Sequence, residues 1–262
     1  MTATVADHRL LSNLMAANTS EAAYIDDQGE YVVSILLVPG FMLDADLWRD
    51  VEPGLADFQP IVSVDLSKDS SIQDMARRAL LGAPEAFILV GFSMGGYVAR
   101  EIVRQAPHRV KALVLVATSA RGDTDLQRQR KAAITGQPNG LIFKGLSTAA
   151  VASSLYPDNA SRLDLIDRIK SMAQRLGGEV FRRQSLLDRE DERASLSAIT
   201  YPCLIVAGED DKLRSRAEAE ELHRGIVGSS LQIIEKTGHM IPLEAPDALA
   251  TIVRRWLKAI EA

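Results

Sequence analysis

Residues 90–96 read Val-Gly-Phe-Ser-Met-Gly-Gly, so that Ser93 has a glycine two positions before it and another two positions after it. An apolar run ends at this stretch, and a pattern typical of a helix follows it. A helix that merely succeeds a strand needs a cap and at most one glycine. Gly-x-Ser-x-Gly between a strand and a helix predicts a nucleophile elbow, a sharp turn that strains the serine and exposes its hydroxyl above the sheet.

The two flanking glycines have a steric explanation in such a turn. Neighbouring backbone passes close to Gly91 and Gly95, so both positions must be almost free of side chain. The turn also brings the Met94 N–H to the start of a helix, where the dipole favours negative charge and can stabilise the oxyanion of acyl transfer. The alternative is a glycine-rich turn with an incidental serine, and partner residues are needed to exclude it.

Continuous apolar runs with many branched residues indicate the fold class. Runs of this kind suit parallel strands that are buried on both faces. Helical patterns ending in Gly or Pro separate them, which predicts an α/β protein with a mostly parallel, doubly wound sheet and ligands at the carboxyl ends of its strands. The predicted strands are VVSILLVPG (32–40), PIVSVD (60–65), AFILVGFS (86–93), ALVLVATSA (112–120), CLIVAGEDD (203–211) and LQIIEKTGH (231–239).

The order of these patterns predicts the domain organisation. Residues 21–121 and 198–262 form the α/β core, and residues 1–20 are a short helix or an N-terminal arm. Between the two parts of the core, residues 122–197 contain helical spacing without strand patterns, including the stretch LIFKGLSTAAVASSLY (141–156). Such an insertion is either a cap over the active edge or ordinary packing on one face of the sheet. Because it leaves the sheet after the carboxyl end of a strand, we favour a helical cap.

Composition excludes several classes of function. A formal charge of -5 with mixed signs gives no footprint for nucleic acid and no polybasic membrane patch. No apolar run approaches the roughly 20 residues that span a bilayer, and the N-terminus lacks a basic leader, so we expect a cytoplasmic protein. The single cysteine, Cys203, lies in a predicted buried strand, which excludes an internal disulfide and a cysteine metal site. We therefore expect a small-molecule partner and neither cofactor nor metal.

A serine hydroxyl needs a base to take its proton, and an acid must orient that base. Of the four histidines, His239 follows a predicted strand and a glycine, on a loop at the same edge as Ser93. His223 lies within a helical pattern, His108 in a surface connection and His8 in the N-terminal segment. The pattern therefore favours His239 as the base.

The acid is expected after a strand that lies between the serine and the histidine in the chain. Glu209, Asp210 and Asp211 follow one such strand, and Asp123 follows the strand before it. Adjacent acidic residues can equally form a solvated turn. The spacing alone leaves these candidates open.

Four segments resemble the α/β-hydrolase family: LLVPGF, LVGFSMGGYVA, LIVAGEDDKL and TGHMIPLEAPDAL. The resemblance extends from about Leu36 to Leu257. It implies that the acid is the third residue after the glycine that ends its strand, which is Asp211. It also implies a second oxyanion donor, the backbone N–H of Phe41, beside that of Met94.

The chain departs from the family pattern at two places. Pro39 replaces the usual histidine before Gly40, a change that leaves the Phe41 N–H available. The stretch DLSKDSS (65–71) stands where the family commonly has an Arg-Gly-His-Gly loop. The second change shortens a loop near the site, so the substrates of better-known members do not transfer to this chain.

These features predict a serine hydrolase that cleaves a small or medium carboxylic ester or lactone through an acyl-enzyme. A carbon-carbon bond hydrolase or perhydrolase with the same triad stays open, as does a non-enzymatic small-molecule receptor, because fold does not fix function. The apolar residues expected to bind the acyl group are Leu141, Phe143, Leu146, Leu155 and Met240. Those in the insertion fit its own packing equally well.

Overall fold

A six-stranded parallel sheet forms the centre of the structure, a computed structural model that describes residues 24–25, 31–135 and 143–261. A two-residue antiparallel ladder, β1 (Tyr24–Ile25) and β2 (Tyr31–Val32), precedes it. The predicted N-terminal arm, residues 1–20, lies outside the described residues. The sheet consists of β3 (Ser34–Val38), β4 (Ile61–Ser63), β5 (Phe87–Phe92), β6 (Val110–Val116), β7 (Cys203–Gly208) and β8 (Ser230–Ile234).

The six strands lie in the order β4-β3-β5-β6-β7-β8, and each neighbouring pair is parallel. All six coincide with predicted strands, so the predicted fold class is confirmed. The α-helices are α1 (Ile72–Gly82), α2 (Met94–Gln105), α3 (Asp125–Thr135), α4 (Thr148–Ala152), α5 (Leu163–Ser185), α6 (Arg216–Gly225), α7 (Ile241–Glu244) and α8 (Pro246–Glu261).

Apolar side chains on both faces of the sheet explain the continuous apolar runs. In β3, Ile35 and Leu37 pack into one core cluster with residues of α8, while Leu36 and Val38 pack into another with residues of α1 and α2. Burying both faces removes the polar alternation that a half-exposed strand would show. Residues of α4 and α5 join the α8 side, so these two of the helices between β6 and β7 share that core.

The order of the strands reverses direction at β3. From β3 the chain moves outward to β4, then crosses back to β5 on the other side of β3. Val38, the last residue of β3, is paired with Gly91 near the end of β5. The carboxyl ends of β3 and β5 therefore meet at the switch point of the sheet, where open α/β sheets bind their ligands.

The insertion differs in detail from its predicted helices. Residues 143–147, expected to be helical, are not, and α4 begins only at Thr148 because the Ser147 hydroxyl accepts the Ala150 N–H. The next helix, α5, continues to Ser185 across a kink at Gly177, whose φ is 77°. The described part of residues 122–197 contains helices and no strand, as predicted.

We expect that replacing Gly95 by alanine will disrupt the contact between α2 and the end of β3. A Cβ atom at this position would lie 2.4 Å from the carbonyl oxygens of both Val38 and Pro39, and backbone cannot yield as a flexible side chain can. The Gly95→Ala change should lower the free energy of unfolding by about 3 kcal/mol or more. Urea denaturation of purified protein measures it.

The matched control is Gly82→Ala at the end of α1. No heavy atom lies within 4 Å of a Cβ placed there. Alanine has less conformational freedom than glycine in the unfolded chain, so folding loses less entropy. This change should therefore be neutral or stabilising by up to about 1 kcal/mol. Similar losses for the two variants would contradict the steric explanation.

Candidate active site

Ser93 occupies the turn between β5 and α2 in a strained backbone conformation. Its φ is 53° and its ψ is -112°, a combination that residues with a side chain rarely adopt. Three hydrogen bonds hold this conformation: the Ser93 N–H donates to the Val116 carbonyl at 2.9 Å, and the Ser93 carbonyl accepts from Gly96 N at 3.0 Å and from Thr118 Oγ1 at 2.6 Å. The turn is therefore fixed by β6 as well as by its own helix.

The glycines around Ser93 are sterically required. A Cβ atom at Gly91 would lie 2.7 Å from the Gly95 carbonyl oxygen, and one at Gly96 would lie 2.3 Å from Thr118 Oγ1. Real Cβ atoms do not approach other atoms so closely. The close backbone approach predicted for Gly91 and Gly95 is thus present in the structure.

The structure brings Ser93, His239 and Asp211 into one hydrogen-bonded chain. Ser93 Oγ lies 2.9 Å from His239 Nε2, and His239 Nδ1 lies 2.7 Å from Asp211 Oδ2. With an ionised aspartate, the Nδ1–H group donates a hydrogen bond to the carboxylate, which leaves Nε2 free to accept a hydrogen bond from the serine hydroxyl. This arrangement can move a proton away from Ser93.

The two carboxylate oxygens of Asp211 have separate partners. Oδ1 accepts the backbone N–H groups of Leu213 and Arg214, each at 2.8 Å, while Oδ2 faces the histidine. The carboxylate is buried and cannot rotate without losing these bonds. Asp211 is therefore oriented by the turn in which it lies.

The neighbouring acidic residues point elsewhere. Glu209 accepts the backbone N–H of Lys236 at 3.0 Å, and Asp210 lies 3.7 Å from Lys212 in a partly exposed ion pair. Of the three acidic residues at the end of β7, Asp211 is the one bonded to His239.

The alternative acid, Asp123, belongs to a different group of charges. It forms ion pairs with Lys131 and with Arg189, whose Nε donates to Asp123 Oδ1 at 2.9 Å. Burial raises the pKa of Asp123, but the bonds to Lys131 and Arg189 outweigh burial and leave this pKa below its ordinary value. Asp123 is thus engaged in joining the beginning of the insertion to its end.

The remaining histidines lie away from Ser93 wherever they are described. His223, on α6, is exposed and its Nδ1 lies 2.9 Å from Ser229 Oγ. His108 is exposed on the 3₁₀ turn after α2. His8 lies outside the described residues.

The two predicted oxyanion donors lie on adjoining segments, the first turn of α2 and the turn after β3. Met94 is the first residue of α2, so its N–H is one of those that a helix leaves without an intrahelical partner. Phe41 follows Gly40 in the turn after β3, and the contact of Gly95 with Val38 and Pro39 brings that strand end against the first turn of α2. Their joint role stays a prediction.

A buried glutamine that the sequence did not single out supports the turn after β3. Met42 has a φ of 56°, and its N–H donates to Gln184 Oε1 at 2.8 Å. Gln184 Nε2 donates in turn to the Leu66 carbonyl at 3.2 Å, and the side chain is buried. Gln184 lies among charged residues in the stretch VFRRQS, where a polar residue looks like part of a solvated face, so no local signal identifies it.

Phe143 and Leu146, two of the predicted substrate-binding residues, lie beside the turn after β3. The Phe143 ring stacks on Phe181 with centroids 4.9 Å apart, and Phe181 meets Phe41 edge-on at 5.7 Å. Leu146 is partly buried and packs beside them, around Met42. An apolar surface therefore extends from the turn after β3 into the insertion.

The other predicted substrate-binding residues are differently placed. Leu155 and Met240 are only 2% and 4% exposed, within the main core cluster, and Leu141 lies outside the described residues. The burial of Leu155 and Met240 fits packing better than contact with a ligand.

Ser93 is less accessible than predicted. The sequence predicted an exposed hydroxyl, but the residue is only 9% exposed. The His239 ring lies against its Oγ, and the segment after α4 holds this histidine, because the His239 N–H donates to the Ser154 carbonyl at 2.8 Å. Ser93 is therefore largely covered in this structure.

Cys203 lies in β7, as predicted, and is 1% exposed. Burial raises the pKa of its thiol to about 12, although Arg100 acts in the opposite direction. Because the thiolate is the reactive form, this thiol is unsuited to nucleophilic chemistry.

The part of the chain that the structure describes contains no group of three His, Cys, Asp or Glu side chains that could hold a metal ion. None of the helices described there has the length and apolar character of a membrane span.

Comparisons with known proteins identify the family. The model of the alpha/beta hydrolase family matches residues 35–252. A pimeloyl-[acyl-carrier protein] methyl ester esterase from Neisseria meningitidis serogroup A is 27% identical over 245 residues, which cover 87% of this chain and 78% of the relative. The esterase of the same name from Pectobacterium carotovorum is 26% identical over 255 residues, which cover 90% of this chain and 98% of the relative.

A solved structure gives the same result. A thermophilic esterase from Thermogutta terrifontis superposes with a TM-score of 0.71 at 25% identity, over 88% of this chain and 91% of that chain. The names of these relatives agree with the predicted class of enzyme, a carboxylic ester hydrolase. Because the family model spans most of the chain, the resemblance found in the sequence is confirmed: the protein belongs to the alpha/beta hydrolase family.

Proposed function

We propose that this protein is a serine hydrolase that cleaves a small or medium carboxylic ester or lactone through an acyl-enzyme intermediate. The observation that carries the proposal is the buried hydrogen-bonded chain from Asp211 through His239 to Ser93. A binding protein has no need of a base and an acid matched to an activated serine. The esterases among the relatives support ester cleavage in particular.

In the first half of the reaction, Ser93 Oγ attacks the ester carbonyl carbon as its proton moves to His239 Nε2. The positive charge that develops on the imidazole is stabilised by Asp211, which keeps its own charge. The carbonyl oxygen becomes an oxyanion, and the N–H groups of Met94 and Phe41 stabilise it. Collapse of this intermediate breaks the ester bond, and the leaving alcohol takes the proton from His239.

In the second half, a water molecule repeats these steps on the acyl-enzyme. His239 Nε2 removes a proton from the water as its oxygen attacks the acyl carbon. The second tetrahedral intermediate expels Ser93 Oγ, which recovers the proton from His239. The products are a carboxylic acid and the free serine, so the enzyme returns to its starting state without a cofactor.

The insertion, residues 122–197, serves in this proposal as a cap that selects the substrate. The apolar surface formed by Phe143, Phe181 and Leu146 beside the turn after β3 supports an apolar acyl group. Low exposure of Ser93 favours a compact substrate over a bulky one. The relatives are named as methyl ester esterases, which supports a small alcohol as the leaving group.

Replacing Ser93 by alanine should abolish hydrolysis of esters and labelling by a fluorophosphonate, because the nucleophilic oxygen is gone. Turnover of a p-nitrophenyl ester series and of simple lactones by wild type and variant measures the effect. The rate of hydrolysis should fall by about 10⁶-fold, which leaves only the activity that the rest of the site supports without the nucleophile.

The control for this experiment is Ser195→Ala, which removes an exposed hydroxyl that donates only to the Glu192 carbonyl. It should behave like the wild type. Equal turnover by Ser93→Ala and wild type would contradict the nucleophile. A wild type that hydrolyses none of the esters or lactones would favour a carbon-carbon bond hydrolase or a receptor instead.

Replacing Asp211 by asparagine should lower kcat by about 10³- to 10⁴-fold, because an amide no longer holds the histidine in the required tautomer. Asp210→Asn is the matched control, since Asp210 is adjacent but pairs with Lys212 near the surface. It should stay within about threefold of the wild type. If Asp210→Asn is the more damaging change, the acid has been misassigned.

Replacing Leu146 by tryptophan should shift the preferred acyl length toward shorter chains, because Leu146 lies at the partly buried apolar surface beside Phe143. The same change at Leu155 should mainly lower stability, by about 1–3 kcal/mol, because that residue is almost fully buried in the core. Rates across acyl chains of two to twelve carbons and urea denaturation distinguish the two effects. An unchanged profile for Leu146→Trp would exclude this residue from the pocket.

A further inference from the structure

The side chain of Glu244 is bonded to both neighbours of His239. Glu244, the last residue of α7, accepts two backbone N–H groups on Oε1, from Gly238 at 3.1 Å and from Met240 at 3.2 Å. These residues stand directly before and after the histidine. One carboxylate oxygen therefore holds the loop on both sides of the proposed base.

The other oxygen of the same carboxylate binds the insertion. Glu244 Oε2 accepts the Tyr156 N–H at 2.7 Å and Asn159 Nδ2 at 2.9 Å. Tyr156 and Asn159 lie more than 80 residues away in the sequence, in the segment that follows α4. Glu244 thus bridges the histidine loop and the insertion with four hydrogen bonds, each strengthened by the charge of the acceptor.

Two further contacts join the loop around His239 to the insertion. The His239 N–H donates to the Ser154 carbonyl at 2.8 Å. A Cβ atom at Gly238 would lie 2.5 Å from Tyr156 N, so the loop approaches the segment as closely as glycine permits. The backbone N–H groups of three consecutive residues, 238–240, are therefore all held by Glu244 or by the insertion.

A purely local role does not account for this arrangement. Glu244 lies in the first turn of the short helix α7, where an acidic side chain commonly satisfies nearby N–H groups. That role explains the bonds of Oε1 and leaves those of Oε2 unexplained. The bonds of Oε2 fix the position of the loop relative to the insertion, which a helix cap does not require.

We propose that Glu244 is a positioning residue that fixes His239 against Ser93, and that the segment from Ser154 to Asn159 is a stationary support for the base. This inference rests on the proposed function. The distance of 2.9 Å between His239 Nε2 and Ser93 Oγ depends on where the loop lies. A shift of about 1 Å would stretch it beyond a hydrogen bond, and displacements of that size can reduce catalysis about 10²-fold.

The test compares Glu244→Gln, His239→Ala and the double variant, with kcat and KM measured for one good ester substrate. Glutamine keeps the shape of the side chain, but its amide group turns two N–H donors toward two backbone or side-chain donors. The matched control is Glu220→Gln, which makes the same charge change on α6, at a residue that pairs with Arg216 on the same helix. Urea denaturation of every variant reports stability separately.

Glu244→Gln should lower kcat by about 10- to 100-fold with KM within about twofold of the wild type. Glu220→Gln should keep kcat within about twofold. In the His239→Ala background, adding Glu244→Gln should change the residual rate by less than about twofold, because residues that act through one group are not additive.

A wild-type kcat for Glu244→Gln would overturn the inference, and so would an equal loss in both backgrounds, which would indicate a general structural effect. If Glu244→Gln does not fold, Asn159→Ala weakens the same bridge by a single bond. It should lower kcat about two- to fivefold, and an unchanged kcat overturns the inference. A wild-type rate for His239→Ala would instead overturn the proposed function, so the two failures are distinguishable.

Discussion

The close contact between the end of β3 and the first turn of α2 is the constraint on which the site depends. The helix approaches the carbonyl oxygens of Val38 and Pro39 so closely that only glycine fits at position 95. This contact holds the start of α2 against the end of β3, directly after Ser93 and its strained turn. It also brings the turn that carries Phe41 beside the start of α2. The proposed nucleophile and the two proposed oxyanion donors are therefore positioned by the same close contact.

Much of the fold could be predicted from the sequence because burial on both faces gives each strand a continuous apolar run. Ser93 and His239 were identifiable because glycines and strand ends mark their positions. Asp211 could not be separated from Asp210 by the residues alone, since both follow the same strand, and the resemblance to the family was needed to choose between them. The geometry favours Asp211, because its Oδ2 lies 2.7 Å from His239 Nδ1, whereas Asp210 pairs with Lys212.

Most of the features that escaped prediction depend on contacts between distant parts of the chain. Gln184 looks like part of a solvated helix face and becomes recognisable only when α5 is packed against Met42. The non-helical stretch 143–147 had suitable apolar spacing, but the Ser147 cap starts the helix later. The low exposure of Ser93 depends on the loop around His239, which local patterns do not report.

The two ends of the insertion are bonded to each other beside the sheet. Asp123 at its beginning is bonded to Arg189 near its end, and the Glu192 N–H donates to the Ala120 carbonyl. Once the ends of a segment are held together, changing the length between them alters the closure entropy only slowly. Parts of the segment that do not pack on the core can therefore change in length while the sheet stays intact. Two parts are exceptions: the helices α4 and α5, which contribute to the core, and the stretch from Ser154 to Asn159, which is bonded to the loop around His239.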